Sequence, residues 1–343
     1  MATFSGQLRS NEIFSALYNM IISQEVFADN IKGGDLVDEA RVDGGLVGDT
    51  KLYYSTDALA SAEWGNDAEA ANLLALHRPE APECQAIILD KFRQISLTVD
   101  NYLSKRAWGD EGAFSSFNSV MLGWLKDTKK VYDGTTYNCY IGTCEGASNK
   151  HEVEVESTVA ADGKLLAQSL ADLVTEMTDY TRDFNDYGQL RRYDESEIKV
   201  IFNSKYINRI TNVDLPVIFD NAGLKKVFAK KVLPSRYFGE VNTTSKVADA
   251  STRSLVEQVI DGAHYFPGDI IATGKTAPAG TSYQEDSKII AKVLVKLPPY
   301  MSSFEVGTSF FNPKSLTENH YLTFGHNTIE YLKAYPLITV KSK

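Results

Sequence analysis

The chain has 343 residues, of which 43% are hydrophobic and 23% charged, which is ordinary for a soluble globular protein of one or two domains. No apolar run reaches the roughly 18 residues of a membrane span, and the N-terminus lacks the features of a signal peptide, so synthesis in the cytosol is expected. The formal net charge of −10 argues against a nucleic-acid-binding protein, because phosphate contacts need an excess of Lys and Arg.

The first hundred residues predict an arm and then a hairpin with an acidic tip. Apolar residues recur near helical spacing between residues 10 and 30, with Ser10 as the N-cap. Residues 35–83 carry eleven acids and three bases, so this segment is either flexible or ordered by a neighbour. Two strand-like sequences frame it, KLYYS and AIILDKFRQISLTVDNYL. Together they predict a long, hairpin-like projection.

The strongest helical pattern spans residues 109–134. Apolar residues recur there on one helical face at steps of three and four. Asp110 is placed to cap the start of the helix, and Gly134 is placed to end it in a left-handed conformation. At about 1.5 Å per residue this predicts a rod of roughly 35 Å. A strand, TTYNCYIGTCEG, is predicted to follow. We expect Cys139 and Cys144 to be buried thiols on that strand rather than metal ligands.

A second amphipathic helix is predicted over residues 163–188, with an apolar stripe from Leu166 to Phe184 and Gly188 at its end. EIKVIFNSKYINRI predicts a buried strand that turns into a short helix, and NAGLKKVFAKKVL predicts a short amphipathic helix. GDIIATGKTAPAGTSYQEDS predicts a loop, and KIIAKVLVKLPPYM a strand that two prolines end. Helices and strands do not alternate at βαβ spacing, so the predicted fold class is α+β.

His320 and His326 are the candidates for a catalytic or metal site, with Glu318 and Glu330 as possible partners. Their separation of six residues puts them on one side of a strand but matches no known metal-binding spacing. The sequence contains no nucleophile elbow, Walker motif or dinucleotide-binding motif. We therefore expect histidines that are hydrogen-bonded in a core or at an interface, no cofactor, no metal and no enzymatic activity.

Seven bases and only two acids lie between Lys205 and Arg236. One interpretation is the solvated face of a helix. The other is a landing surface for an acidic partner, and residues 35–83 of another copy of the chain are a candidate, because complementary charge steers assembly. The candidate inter-subunit contacts are Lys225, Lys226, Lys230, Lys231 and Arg236.

The C-terminal sequence from Phe266 to Lys341, which includes SFFNPKSLTENHYLTFGHNTIEYL, resembles the C-terminal part of major capsid proteins of tailed bacteriophages. EIKVIFNSKYINRI and VLPSRYFGEV resemble segments upstream in the same proteins. The order of arm, extended loop, long helix, second domain and C-terminal strands is similar to the Hong Kong 97-like capsid fold.

The resemblance implies an N-terminal arm (1–35), an extended loop (36–108), a peripheral domain with the long spine helix (109–145 and 265–343) and an axial domain (146–264). It implies hexamers and pentamers of an icosahedral head that encloses double-stranded DNA without sequence-specific binding. Assembly would take place in the host cytoplasm, without membrane contact, and the protein would reside in the virion. A portal and a possible decoration protein are implied partners. Because the arm is only about thirty residues long, we also expect a separate scaffolding protein.

Within that fold, we expect the polar residues of the C-terminal stretch to satisfy buried backbone groups and contacts, and the aromatic residues to supply buried apolar area. The polar residues are Asn312, Asn319, His320, His326 and Asn327, and the aromatic residues are Phe310, Phe311, Tyr321, Phe324 and Tyr331. Two alternatives stay open. One is another phage structural protein of the tail or decoration class, and the other is an α+β hydrolase with a site at His320 and His326.

Overall fold

A computed structural model describes residues 34–45, 48–61, 76, 78–100, 111–211, 231–242, 282–286 and 288–343. The helices are α1 (Asp35–Ala40), α2 (Glu111–Thr143), α3 (Ser157–Ala161), α4 (Gly163–Met177) and α5 (Ser204–Thr211), with a 3₁₀ turn at Ser235–Tyr237. The strands are β1 (Arg41–Asp43), β2 (Thr50–Ser55), β3 (Glu83–Asp100), β4 (Glu152–Val155), β5 (Lys199–Asn203), β6 (Lys231–Leu233), β7 (Gly239–Asn242), β8 (Ser282–Glu285), β9 (Ile289–Leu294), β10 (Tyr300–Asn312), β11 (Thr317–Asn327) and β12 (Leu337–Ser342).

Ten of these strands form two five-stranded sheets. The hairpin sheet has the order β1-β10-β11-β3-β2, and the central sheet has the order β4-β12-β9-β5-β6. Parallel pairs such as β4–β12 and β5–β6 occur beside antiparallel pairs such as β12–β9. Helices beside mixed sheets confirm the α+β class predicted from the sequence.

The hairpin sheet contains the predicted strand pair. β2 pairs antiparallel with residues 83–88 of β3, and β11 pairs antiparallel with residues 89–100 of the same strand. β10 and β11 form a second hairpin, which closes through residues 313–316, with Leu316 at a φ of 55°. The N-terminal arm helix and most of the acidic tip of the first hairpin lie outside the described residues.

The long helix extends beyond its predicted end. Helix α2 continues through residues 135–143, where a strand was predicted, and its 33 residues span about 50 Å. Gly134 lies inside the helix rather than at its end, and it packs closely against Gly34: a Cβ built on Gly34 would lie only 3.2 Å from the Gly134 Cα. Tyr137, Tyr140 and Ile141 are buried at helical spacing, so packing overrides the strand propensity of this sequence.

The second long helix is shorter than predicted. α4 ends at Met177, and residues 178–192 form turns that contain a bridge between Thr181 and Arg191. Side-chain hydrogen bonds to the backbone end the helix: the Thr178 hydroxyl donates to the Thr175 carbonyl, and the Asp179 carboxylate accepts from the next backbone N–H. Phe184 is buried as predicted, but from a turn rather than from the helix.

Several shorter predictions are confirmed or corrected. The strand-to-helix sequence is β5 followed by α5, and KIIAKVL contains β9. The predicted helix NAGLKKVFAKKVL lies mostly outside the described residues, but Lys231–Leu233 is a strand that pairs with β5. The predicted loop contains strand β8, which pairs with β7. Cys139 and Cys144 are buried as expected, but Cys139 lies in α2 and Cys144 directly follows it.

The core lies on both faces of the central sheet. Ile201, Leu294 and Leu337 face the C-terminal half of α2, whereas Phe202 and Val293 face α4. All six residues of β9 are therefore buried, which explains its nearly continuous apolar sequence. None of the described helices combines the length and apolar character needed to cross a membrane.

A close approach between α2 and the 3₁₀ turn gives a test of this packing. A Cβ at Gly142 would lie 1.9 Å from the Tyr237 carbonyl oxygen, whereas one at Gly123 of the same helix meets nothing within 4 Å. We expect Gly142→Ala to lower the free energy of unfolding by about 1–3 kcal/mol through overpacking. Gly123→Ala should raise it by about 0.5–1 kcal/mol through helix propensity. Urea unfolding of the unassembled subunit measures both, and equal effects would contradict the packing.

Candidate functional site

His320 and His326 lie on one side of β11 but do not form a common site. Six residues of strand separate them by about 20 Å. His320 Nε2 lies 4.0 Å from Glu318 Oε1, while His326 is fully buried at the other end of the strand. Within the described part of the chain, no three His, Cys, Asp or Glu side chains come together as metal ligands.

Both ring nitrogens of His326 are engaged. Nδ1 lies 2.8 Å from the Asn327 carbonyl oxygen, which can only accept, so Nδ1 carries the proton. Nε2 is then an acceptor and takes the hydrogen bond of the Tyr132 hydroxyl at 2.9 Å. Burial lowers the pKa of His326 to about 4, so the ring is neutral at pH 7. A ring saturated in this way supplies no free base, so the hydrolase alternative lacks its site.

Asp133, the residue after Tyr132 in α2, joins this helix to two other elements, β1 and β10. Its Oδ2 lies 2.7 Å from Lys129 Nζ and 3.4 Å from the Arg41 guanidinium, and its Oδ1 accepts from the Tyr300 hydroxyl at 2.7 Å. Lys129 also pairs with Glu305 of β10 at 3.1 Å. The side chains of Lys129 and Asp133 are only 6% and 2% exposed, so these charges are desolvated and depend on each other.

These residues make up the buried polar cluster, which attaches α2 to the root of the hairpin sheet. The Tyr300 and His326 rings stack with centroids 5.4 Å apart, so the two strands are also joined by aromatic contact. Asn327 completes the attachment, because its Oδ1 accepts from the Met301 N–H and its Nδ2 donates to the Pro299 carbonyl. The burial of His326 and Asn327 in this cluster agrees with the expectation from the sequence.

Sequence reasoning missed Asp133 and Lys129. Their spacing of four residues on a helix is typical of an exposed ion pair, so the pattern carries no sign of burial. The only available signal was their position beside the apolar face that contains Tyr132.

The cluster predicts a specific pH dependence of stability. An unfolded histidine has a pKa of about 6.5, so between that value and about 4 the unfolded chain binds a proton at His326 that the native chain does not. The stability contribution is present above pH 6.5 and is lost as the pH falls toward 4, on the order of 3 kcal/mol in full.

We expect the difference in unfolding free energy between wild type and His326→Gln to shrink as the pH falls from 7 to 4.5. Urea unfolding at a series of pH values measures it. His320→Gln is the matched control and should follow the wild-type slope. A His326→Gln variant with the wild-type slope would contradict the assignment.

The outer half of the hairpin sheet is exposed on one face. Phe310 and Phe311 are 61% and 48% exposed, so they do not supply the buried apolar area that was expected of them. Phe324 and Tyr331 are buried as expected. The strand tips leave the core, which is why aromatic residues in the same stretch have opposite environments.

The exposed face of this outer half carries Asp100 at the end of β3 as its one charged strand residue. Strand alternation and the pairing register place on it the residues Phe92, Gln94, Ser96, Thr98, Val306, Thr308, Phe310, Asn319, Tyr321 and Thr323. A face of aromatic, hydroxyl and amide side chains without Lys or Glu is typical of the centre of an interface.

The basic residues predicted from the sequence are only partly described. Lys225, Lys226 and Lys230 lie outside the described residues. Lys231 forms an ion pair with Glu39 of α1, and the same carboxylate pairs with Lys199. The Arg236 guanidinium lies 5.1 Å from the centre of the Tyr237 ring. Contact of these bases with a second copy stays a prediction, and Lys231 already has an acidic partner from residues 35–83 of its own chain.

The first hairpin is fixed at its base. The Asp57 carboxylate accepts from the Leu190 N–H at 2.8 Å and pairs with Arg182, and these two hydrogen bonds lower its pKa to about 2. The Arg191 guanidinium donates to the Ser55 hydroxyl at 2.9 Å. The end of β2 is therefore tied to the turns that follow α4.

This architecture also occurs in solved structures of other proteins, although the sequence matches no known family. No protein-family model and no curated protein matches the sequence. Among solved structures, the capsid structure of Staphylococcus phage Andhra contains a chain with a TM-score of 0.64 and 13% identity. The similarity covers 94% of this chain and 87% of that one.

A second similar chain belongs to the structure of the head fiber and inner core protein gp22 of native bacteriophage P68. Its TM-score is 0.64 at 10% identity, and the similarity covers 93% of this chain and 87% of that chain. The chain therefore has the fold found in phage capsid structures, and the capsid-protein fold expected from the sequence is confirmed.

Proposed function

We propose that this chain is the major capsid protein of a tailed bacteriophage, a structural protein of the virion without enzymatic activity. It would assemble into hexamers and pentamers of an icosahedral head around double-stranded DNA. The observation that carries the proposal is a common fold over 94% of the chain with a chain of the Andhra capsid structure. The acidic composition fits a shell that encloses DNA without gripping it.

The proposed layout is Hong Kong 97-like, with an arm at 1–35, an extended loop at 36–108, a peripheral domain at 109–145 and 265–343, and an axial domain at 146–264. Helix α2 would be the spine. Strands β9 and β12 pair with β5 and β4, so the last segment also contributes to the central sheet. On this layout the two domains share the central sheet, because the axial segment supplies β4, β5 and β6 and the last peripheral segment supplies β9 and β12.

The described residues favour assembly over catalysis in two respects. The histidine candidates do not form a site, because His326 is buried and saturated by hydrogen bonds. The hairpin sheet instead presents an exposed face with few charged side chains and two large exposed aromatic side chains, Phe92 and Phe310. A scaffolding protein, a portal and a decoration protein are the further partners that we expect.

Electron microscopy and size-exclusion chromatography of the purified protein test the function, alone and with a co-expressed scaffolding protein. We expect closed shells, or rings of five and six subunits, because repeated modest contacts accumulate under closed symmetry. A monomer or dimer under all conditions would contradict the proposal. Shells would exclude the tail and decoration alternatives.

Charge reversal tests the proposed inter-subunit role of the basic residues. We expect Lys225→Glu, Lys226→Glu and Lys230→Glu together to block assembly, because they would repel residues 35–83 of the neighbouring copy. The far-ultraviolet circular dichroism of the subunit should stay unchanged. Lys231→Glu is made separately, because it also breaks the pair with Glu39.

The control reverses charge at Lys164 and Lys288, which are exposed outside the basic cluster. It should assemble normally, as judged by sedimentation of particles. Normal particles from the triple variant would refute the contact.

A further inference from the structure

The outer half of the hairpin sheet consists of three strands, β10, β11 and β3, and one open edge lies on β3. The Leu89 N–H donates to the Asp49 carbonyl, and the Leu89 carbonyl accepts from the Gly48 N–H, so both groups point toward β2. In an antiparallel ladder, backbone groups alternate between the two edges along the strand. A register shift between Leu89 and Lys91 interrupts this alternation, so beyond it the backbone groups of Phe92, Gln94, Ser96 and Thr98 point to the β2 side. β2 pairs only with residues 83–88, and no described strand continues along this edge.

The other open edge lies on β10. The Ser302 carbonyl accepts from the Gly44 N–H beside β1, so the backbone groups of Ser302 point away from its β11 partner His326. Since alternate residues of β11 bond to β3 and to β10, the register assigns Val306, Thr308 and Phe310 to the ladder with β11. The backbone groups of Glu305, Gly307, Ser309 and Phe311 then point outward. β1 covers β10 only from Tyr300 to Ser302, and no other described strand covers the rest.

The β10 edge carries none of the devices that protect exposed strand edges. Residues 306–311 contain no proline and no charged side chain, and Phe310 and Val306 are 61% and 42% exposed. Protected edges place Lys, Pro or a bulge at such positions. The bulge of β10 lies earlier, between Ser302 and Glu305, and leaves the outer segment regular. An edge of this kind is suited to pairing with another strand.

The β3 edge of a second copy fits this strand. β10 and β3 both run antiparallel to β11, so they run in the same direction on opposite sides of the sheet. Copies placed side by side bring β10 of one against β3 of the next in parallel. The only charge on β10 is Glu305, and the only charges on residues 91–99 are Lys91 and Arg93.

The positions of these charges match across such a pairing. Glu305 and Arg93 both lie opposite Phe324 of β11, so they stand at the same level along the sheet. Copies side by side therefore set the acid of one beside the bases of the next. Within its own subunit Glu305 pairs with Lys129, and Lys91 lies 4.0 Å from Asp90. At 44% and 30% exposure, the Glu305 and Lys91 side chains also remain accessible to a neighbour.

We propose that β10 of one subunit pairs in parallel with β3 of the next, so that neighbouring hairpin sheets form one continuous sheet. The proposal rests on self-assembly of the chain. The contact uses two different surfaces, and a heterologous contact of that type generates rings when its rotation closes. Each contact would satisfy backbone groups of Gly307, Ser309 and Phe311 with which no described strand pairs.

An engineered disulfide tests this pairing. Thr308 and Ser96 both lie opposite Tyr321, on the exposed face. Within one chain β11 separates them, so their Cα atoms are roughly 10 Å apart, and disulfides need a separation below about 7 Å. In the proposed contact, Thr308 of one copy lies next to Ser96 of another, and a bond becomes possible.

The experiment uses assembled particles of the full chain with Cys84→Ser as the background, since Cys84 is exposed. Oxidised particles of Thr308→Cys/Ser96→Cys should give a ladder of covalent oligomers on denaturing gels, which reductant removes. Thr308→Cys/Gln94→Cys and Thr308→Cys/Thr98→Cys cover a register shift by one pair. Each single variant should stay monomeric on the gel.

The outcomes separate the edge pairing from the proposed function. Particles in which none of the three pairs gives a ladder overturn the edge pairing and leave the capsid function intact. Covalent dimers from Thr308→Cys alone mean that two β10 edges meet, which also overturns it. A wild-type chain that forms no particles overturns the proposed function, and the edge pairing with it.

A second comparison uses one side-chain change at two positions on the same face. Thr308→Lys places a charge on the open edge, and Thr323→Lys places it on the middle strand. We expect Thr308→Lys to lower the yield of particles by about tenfold or more and Thr323→Lys to leave it near the wild-type value. Equal losses would show that the face, and not the edge, makes the contact, and would overturn the proposal.

Discussion

The fold depends on the attachment of a long helix to the root of a two-hairpin sheet through buried charge. The Asp133 carboxylate forms ion pairs with Lys129 and Arg41 and accepts a hydrogen bond from the Tyr300 hydroxyl. One carboxylate therefore connects α2 with β1 and β10. Such a cluster is costly to desolvate and is stable only when every member has its partner. It therefore requires one relative placement of helix and sheet, whereas an apolar contact alone would tolerate several.

That placement determines what lies at the two ends of α2. Its C-terminal half packs on the central sheet, where the buried Lys292 donates to the Cys144 carbonyl just beyond the helix and to the Thr339 hydroxyl. A lysine at this position interacts favourably with the negative end of the helix dipole. It also donates a hydrogen bond to a carbonyl that has no partner within the helix. The helix is thus anchored by a buried cation in the central sheet and by a buried carboxylate at the hairpin sheet.

Local patterns in the sequence were sufficient to predict the two strands of the first hairpin and the α5 helix. Less and more exposed residues alternate along β3, so its one-sided burial left a readable pattern. The end of α2 left none, because Tyr137, Tyr140 and Ile141 are buried on a helix whose residues have strand propensity. The end of α4 depends on turns in which side chains replace helical hydrogen bonds.

The site was harder to predict because long-range contacts create it. An Asp and a Lys four residues apart are usually exposed, and only the approach of Tyr300 and Arg41 shows that Asp133 is buried. His326 could be predicted to be hydrogen-bonded, but not that Tyr132 would be its partner. The pairing of β9 with β5 and of β12 with β4 likewise joins residues from 89 to 187 positions apart, and no local pattern encodes it.

The hairpin sheet reverses the usual distribution of polarity. At its root, charged side chains are buried and paired, while its outer face exposes mainly aromatic, hydroxyl and amide groups, with Asp100 as the charged exception. A subunit that functions alone gains nothing from this arrangement, since exposed Phe310 and open backbone groups promote association. A subunit that must meet identical neighbours gains a rigid projection with a surface suited to contact. The buried charges fix the direction of the projection, and the low charge of its outer face limits repulsion between neighbouring copies.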